Sequence, residues 1–273
     1  MPNFSILLAP SEGKKPGGNP FAPDMFDYRS SNTFNYFSEL NPDRRRLIDE
    51  LQQTLETLDD DGLQALFGVK GAHLEEAVAV NSELYDAPLM SALDRYSPGV
   101  MYEAMDFAGL PTGAQRRLLE NGIILSGLFG LLRPDDLIPN YRLRIDASLP
   151  EVGKVGAYWK PRMSPLLNEA LRDRFVWDLL PTAHRDAWDD AHTYAERVRM
   201  AFYDVRDGER RPVTHHVKPL RGQLVNFIVR ETVETLGPLL EWEHPAGYRY
   251  DEGASTYDEA TRTRVVAFVK DEA

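Results

Sequence analysis

Four groups of basic residues in this chain sit beside glycine, proline or aromatic residues, in settings that suit them to phosphate. The first is Gly68-Val69-Lys70-Gly71. A tight glycine turn between two short helices presents free backbone N–H groups, together with those of the next helix's N-terminus, to an anion. Glycine lets the backbone approach closely, and Lys70 adds a cation beside those donors. Without a ligand, the same residues describe a helical corner in which Gly68 is a C-cap.

The second group lies in the loop Pro10–Gly18, which holds three glycines and two prolines in nine residues, too many for regular structure. Ser11 and Lys14 have the chemistry to grip an anion or assist proton transfer. The Gly-x4-Gly-Lys-Ser/Thr spacing of a Walker loop is absent, and the plain alternative is a solvated turn.

The third runs from Ser126 to Arg144, where a small-residue apolar turn leads into Arg133-Pro134 and then Asn140-Tyr141-Arg142. Guanidinium groups held by prolines and aromatics are pre-organised, and their fork suits phosphate. The competing reading is an internal lattice of Arg133, Arg142 and Arg144 with Asp135, Asp136 and Asp146. The fourth is Lys218 and Arg221, at a helix start. Cations there oppose the positive end of the helix dipole unless an anion joins them. Tyr158-Trp159-Lys160 combines two aromatics with a base, suited either to stacking on a nucleobase or to core packing with Lys160 reaching out.

Metal and nucleophile chemistry is poorly supplied. The six histidines are scattered, and His215 and His216 point to opposite faces of the strand expected there. Abundant carboxylates alone make no iron site. Nucleophile-elbow, dinucleotide-loop and kinase patterns are absent, no residue is assigned to catalysis, and nothing calls for a cofactor.

The elements that must position these groups follow from periodicity. Asn3 to Ala9 reads as a buried strand. Asn41 as N-cap, followed by Pro42, opens a helix with Leu47, Ile48, Leu51, Leu55 and Leu58 at helical spacing. Short helices flank Gly68–Gly71, Thr112 caps another that stops at Asn121-Gly122, and Pro161–Arg174 and Leu220–Leu236 are helical, the latter closed by Gly237-Pro238. Strands are expected at Ile123–Leu125, Phe175–Leu180 and Val265–Val269. A hairpin pairs Arg197–Val205 with Val213–Val217 across Asp207-Gly208. Helices and strands alternate without a linker or repeat, so the fold class is α/β: a single compact domain, residues 1–273, with a mixed sheet, surrounding helices and a helix-hairpin-helix-like element.

The chain of 273 residues has no cysteine, which removes disulfides, thiolate nucleophiles and cysteine-ligated metals and suits a reducing cytoplasm. Met1–Pro10 lacks a basic leader region, and no apolar run is long enough for a membrane helix. Net charge is −12, which argues weakly against a polyanionic partner. The charge is uneven, however: residues 111–230 carry 19 basic and 15 acidic groups, so a basic cleft inside an acidic shell is allowed.

The Ser126–Arg144 stretch, Ser-Gly-Leu-Phe-Gly-Leu-Leu-Arg-Pro-Asp-Asp-Leu-Ile-Pro-Asn-Tyr-Arg-Leu-Arg, resembles the signature of the YaaA family of bacterial peroxide-stress proteins. Ala9–Lys14, Tyr158-Trp159-Lys160, Asn168–Leu171, Lys218-x-x-Arg221-Gly222, and Gly247-Tyr248 with Asp251-Glu252 extend the likeness in order along the chain. The resemblance implies a compact α/β fold with a helix–hairpin–helix and a positively charged cleft. It further implies a cytoplasmic role limiting oxidative DNA damage through binding duplex or distorted DNA with little sequence preference. By position the cleft draws on Ser11, Lys14, Arg133, Tyr141, Arg142, Lys160, Lys218 and Arg221, with Gly68, Val69, Lys70 and Gly71 as the hairpin. One segment departs: Pro181-Thr182-Ala183-His184 stands where an Arg-Ser-x-Tyr-like run is expected. The alternative occupant of the same cleft is a small phosphorylated or nucleotide-like substrate of an enzyme. A membrane partner is not expected.

Overall fold

The structure, a computed structural model, describes residues 3–21, 36–214 and 216–271. Its centre is a strand that the sequence makes apolar throughout: β1 (Phe4–Leu8) is buried at all five positions. A strand buried on both faces needs partners on both edges. Parallel neighbours supply them, β2 (Gly122–Ser126) on one side and β4 (Phe175–Asp178) on the other. Beyond β2 lies the antiparallel β3 (Gly130–Leu132). Beyond β4 lie β5 (Glu196–Arg206) and then β9 (Thr263–Asp271), both parallel. The short strands β6 (Glu209–Pro212), β7 (Arg249–Tyr250) and β8 (Thr256–Asp258) pair antiparallel to β5, β9 and β9. The main path is therefore β7-β9-β5-β4-β1-β2-β3, one mixed sheet.

Between β1 and β2 the chain forms α1 (Asn41–Thr57), α2 (Asp60–Phe67), α3 (Ala72–Ser82), α4 (Val100–Met105) and α5 (Thr112–Asn121). After β3 it runs through α6 (Val155–Ala170) to β4, then through α7 (Thr182–Asp186) to β5, and α8 (Val217–Glu231) follows β6. Winding thus reverses at β1, with β2 placed to one side and β4 to the other. At such a switch point the loops after the two strands diverge and leave a crevice beyond their C-terminal ends, where ligands bind in open α/β sheets. Among the described residues no helix is long and apolar enough to cross a membrane.

The core takes in all three large apolar types and the thioethers: Met105 and Met163 are fully buried, Met101 and Met200 nearly so. Several sequence expectations shift here for local reasons. Leu40, not Asn41, is the N-cap of α1; Asn41 is buried and accepts from Arg44 Nη1 at 2.7 Å. Pro111 rather than Thr112 precedes α5, with no side-chain cap. α6 begins at Val155, six residues before Pro161, and carries Pro161 and Pro165 inside it. Proline favours a first turn, but Val155, Trp159, Met163 and Leu167 recur every fourth residue and are all fully buried, so packing outweighs the lost N–H donors. The helix stops at Ala170, short of Arg174, because Asp173 takes a left-handed conformation with φ 57°.

The hairpin's second strand is Glu209–Pro212, not Val213–Val217. Asp207 and Gly208 both have positive φ, 54° and 78°, the signature of a two-residue turn, which forces the very next residues to pair. Val217 instead opens α8, His216 is its N-cap rather than a strand residue, and His215 lies outside the described residues, as do residues 1 and 2 of the leader reading. α8 ends at Glu231 with Thr232 left-handed, and Gly237-Pro238 starts a separate turn of helix. β4 ends at Asp178, two residues early.

Candidate functional site

Two joined cavities occupy the crevice, one of about 170 Å³ and one of about 370 Å³. They share Pro10, Ser11, Glu12, Pro181 and His184, the residues that leave β1 and β4. Ser11 is held against a neighbouring loop that only glycine allows: a β-carbon on Gly99 would stand 2.1 Å from Ser11 Oγ. Tyr102 of α4 fixes the strand exit by donating to the Ala9 carbonyl at 2.8 Å.

In the smaller lobe Lys14 turns its ammonium inward. Nζ donates to the Ser11 carbonyl at 2.9 Å and lies 4.3 Å from the ring centroid of Tyr141 and 5.7 Å from that of Tyr96. Burial lowers its pKa from 10.5 to about 8; Glu12 opposes the shift, while Arg142 and Arg95 add to it. Tyr141 is buried, and its hydroxyl bonds both Tyr96 and Ser126 at 2.7 Å. Burial pushes Tyr141 up to about 12, so it stays protonated. Arg142 faces Glu12 at 3.7 Å, and its backbone is locked to Asn81 of α3 by bonds of 2.9 and 2.8 Å.

The larger lobe is lined by Lys218 and Arg221 of α8 opposite an apolar wall that includes Val100, Met101, Tyr102 and Leu179. Behind it lies Asp178. One carboxylate oxygen accepts from Leu180 N and the other from Arg185 Nε, each at 3.0 Å. The parallel register sets Arg199 of β5 beside Asp178, yet its buried Nε has no hydrogen-bond partner among the described residues. Arg199 and Arg221 are both held below the usual guanidinium range, first by burial and then by Arg185, with Asp178 opposing; Arg197 adds to the shift of Arg199 and Arg199 to that of Arg221. His184, between the lobes, has both ring nitrogens buried without a hydrogen-bond partner. Burial lowers its pKa from 6.5 to about 4, against the pull of Asp146 and with Arg185 adding to the shift.

The crevice thus gathers Ser11, Lys14, Tyr141, Arg142, Lys218 and Arg221 of the sequence candidates. Gly68–Gly71 stands at its rim. Gly68 is the left-handed C-cap of α2 and Gly71 the N-cap of α3, and the guanidinium of Arg144, a cleft residue, approaches to 3.0 Å of a β-carbon at Gly68. Lys70 is exposed there, as is Gly71, while Val69 is half-buried. Two candidates lie elsewhere. Arg133 sits at the opposite end of β2, donating to the carbonyls of Glu120 and Gly122 at 3.2 and 3.1 Å. Lys160 lines a separate groove with Ser164, Asn168 and Asp189. Its neighbours Tyr158 and Trp159 are core residues, the latter donating to the Gly127 carbonyl at 2.7 Å. Of the expected arginine–aspartate lattice, the Arg144–Asp146 pair forms.

Sequence reasoning did not reach Asp178, Arg185, Arg199, Tyr96 or the role of His184. For Arg199 the available signal was the alternation of strand β5, which places Arg197 and Arg199 on one face; Asp178 and Arg185 carried none. No group of three or more potential metal ligands occurs among the described residues.

Relatives match this chain over nearly its whole length. A UPF0246 protein of Streptomyces coelicolor is 32% identical over 251 residues, covering 91% of this chain and 92% of its own. A UPF0246 protein of Corynebacterium efficiens is 32% identical, covering 89% and 92%. An uncharacterized protein of Campylobacter jejuni is 28% identical, covering 87% and 89%. The family model described as peroxide stress protein YaaA matches residues 4–254, nearly the whole chain, so the chain belongs to the YaaA family of peroxide stress proteins.

Proposed function

We propose that this chain serves peroxide defence by holding phosphate-bearing nucleotide units of DNA in the crevice beyond β1 and β4. One observation carries the reading: Lys218 and Arg221 line this lobe with Arg199 near enough to Arg221 to lower its pKa, and none of the three side chains has a hydrogen-bond or ion-pair partner among the described residues. Asp178 offsets these cations only in part, since it is already bonded to Arg185, and a phosphate supplies the missing negative charge. The apolar wall opposite them accepts a sugar or base ring. Contacts of this type read phosphate rather than base edges, so binding with little sequence preference follows. The Gly68–Gly71 turn, joined to the cleft through Arg144, offers a second phosphate contact.

A second reading has its own support. The lobes are small and the chain carries a net charge of −12, which favours a small phosphorylated or nucleotide-like ligand over an extended strand. Titration of labelled duplex, bubble DNA and mononucleotides at low and moderate salt tests both. DNA binding is expected to weaken with salt by a log–log slope of about −0.9 per phosphate contacted. No binding to either DNA at low salt sinks the first reading, and mononucleotide binding alone then supports the second.

A further inference from the structure

We propose that Lys14 is a Schiff-base-forming amine, and that the two lobes together take a phosphorylated sugar aldehyde, its carbonyl carbon at Lys14 and its phosphate on Lys218 and Arg221. The inference rests on the phosphate-binding reading above and adds a covalent step to it.

The geometry around Nζ is unusual for a lysine. No carboxylate among the described residues lies within ion-pairing distance of it. Its one hydrogen-bond partner among the described residues is the Ser11 carbonyl, and the Tyr141 ring covers it on one side. That ring is itself immobilised by the chain of hydroxyls from Ser126 through Tyr141 to Tyr96. Such an amine is held in place and partly screened from solvent. The charged and titratable groups around it are Glu12, Arg142, Arg95, Tyr96 and Tyr141, a set with more cations than anions. With the pKa brought down to about 8 from 10.5, roughly 300-fold more free amine is present at pH 7 than for an ordinary lysine. Buried lysines of this kind are nucleophiles toward carbonyl carbon.

The shape of the crevice selects the substrate class. Lys14 lines the smaller lobe, the unpartnered cations line the larger, and both lobes open onto Ser11 and His184. A ligand spanning them carries a carbonyl at one end and a phosphate at the other. The step balances without a co-reactant. The free amine attacks the aldehyde carbon to give a carbinolamine; the carbonyl oxygen then leaves as water with both amine protons, and a C=N bond joins Lys14 to the sugar. An abasic deoxyribose within DNA and a free sugar phosphate present the same chemistry.

The experiment traps the imine. The full chain is incubated with cyanoborohydride and, in separate arms, with duplex holding one abasic site, with 2-deoxyribose 5-phosphate, and with intact duplex. Peptide mapping by mass spectrometry is expected to find one reduced adduct, on Lys14, whose yield rises between pH 6 and 8. Lys14→Arg is expected to abolish it while phosphate binding and thermal stability persist, and Lys160→Arg, in the separate groove, to leave it intact. Labelling confined to the abasic duplex identifies DNA as the source; labelling by the sugar phosphate alone identifies a small ligand. No adduct in either aldehyde arm, adducts spread over surface lysines, or equal labelling of Lys14→Arg overturns the proposal, and binding of intact duplex reports separately on the phosphate reading.

Discussion

A β-carbon on Gly222 would stand 2.1 Å from the carbonyl oxygen of Met101, so α8 and α4 meet backbone to backbone at the residue after Arg221. The contact sets how far the Arg221 guanidinium reaches across the larger lobe. Gly222→Ala must push the helices apart and is expected to cost about 1–3 kcal/mol, as overpacked cores do, read as a lower urea midpoint. It should also weaken phosphate binding. A variant as stable as the parent would show that the two helices are not in this contact.

Removing the unpartnered cations separates binding from stability. Lys218→Ala and Arg221→Ala are each expected to reduce the magnitude of the salt slope for DNA by about 0.9, equally on every sequence tested. Neither side chain has a hydrogen-bond or ion-pair partner to lose among the described residues, so the urea midpoint should hold or rise. A fall in stability without a change in slope would assign these residues to the fold.

Arg133 supplies the opposite case. Its bonds to the Glu120 and Gly122 carbonyls tie the end of α5 to the start of β2. Arg133→Ala is expected to cost about 1–3 kcal/mol, since charged hydrogen bonds to carbonyls are lost, while phosphate affinity stays at the parent value. Loss of affinity in a variant that remains folded would place Arg133 in the binding surface.

His184 sets a pH window. The folded chain keeps it neutral down to about pH 4, whereas an unburied imidazole takes its proton near 6.5. Between these values the unfolded state binds more protons, so stability falls as pH falls, by at most about 1.4 kcal/mol per pH unit from this group. Above pH 6.5 the effect is absent. Urea midpoints for His184→Gln are expected to lose that part of the acid slope, and an unchanged slope would refute the assignment.

The parts of this fold legible in the sequence are those decided locally. The apolar run of β1, the glycine and proline density after it, the left-handed Gly68 and the Asp207-Gly208 turn each follow from one segment's own chemistry. The parts that were not legible depend on distant partners. Pro161 marks a helix start until Trp159 and Met163 are seen to be buried together; valines mark a strand until the turn's length forces Glu209–Pro212 to pair first. The site divides likewise. Ser11, Lys14, Lys218 and Arg221 announce themselves by motif, but the Asp178–Arg185–Arg199 group exists only because β4 and β5 run parallel in one register. Arg133 belongs to the same signature stretch as Tyr141, yet β3 carries it to the sheet's other end before the chain returns.

Burial of the thioethers has a bearing on the setting in which this family works. Hydrogen peroxide inactivates many proteins by oxidising sulfur, first at thiolates and then at accessible methionines. This polypeptide offers no thiol, and Met105 and Met163 are fully shielded beneath packed side chains, whereas Met101 lines the larger lobe and Met90 is half-buried. Sulfoxide formation at Met105 and Met163 requires the fold to open first, so these two core contacts outlast an oxidant that reaches only the surface and the crevice.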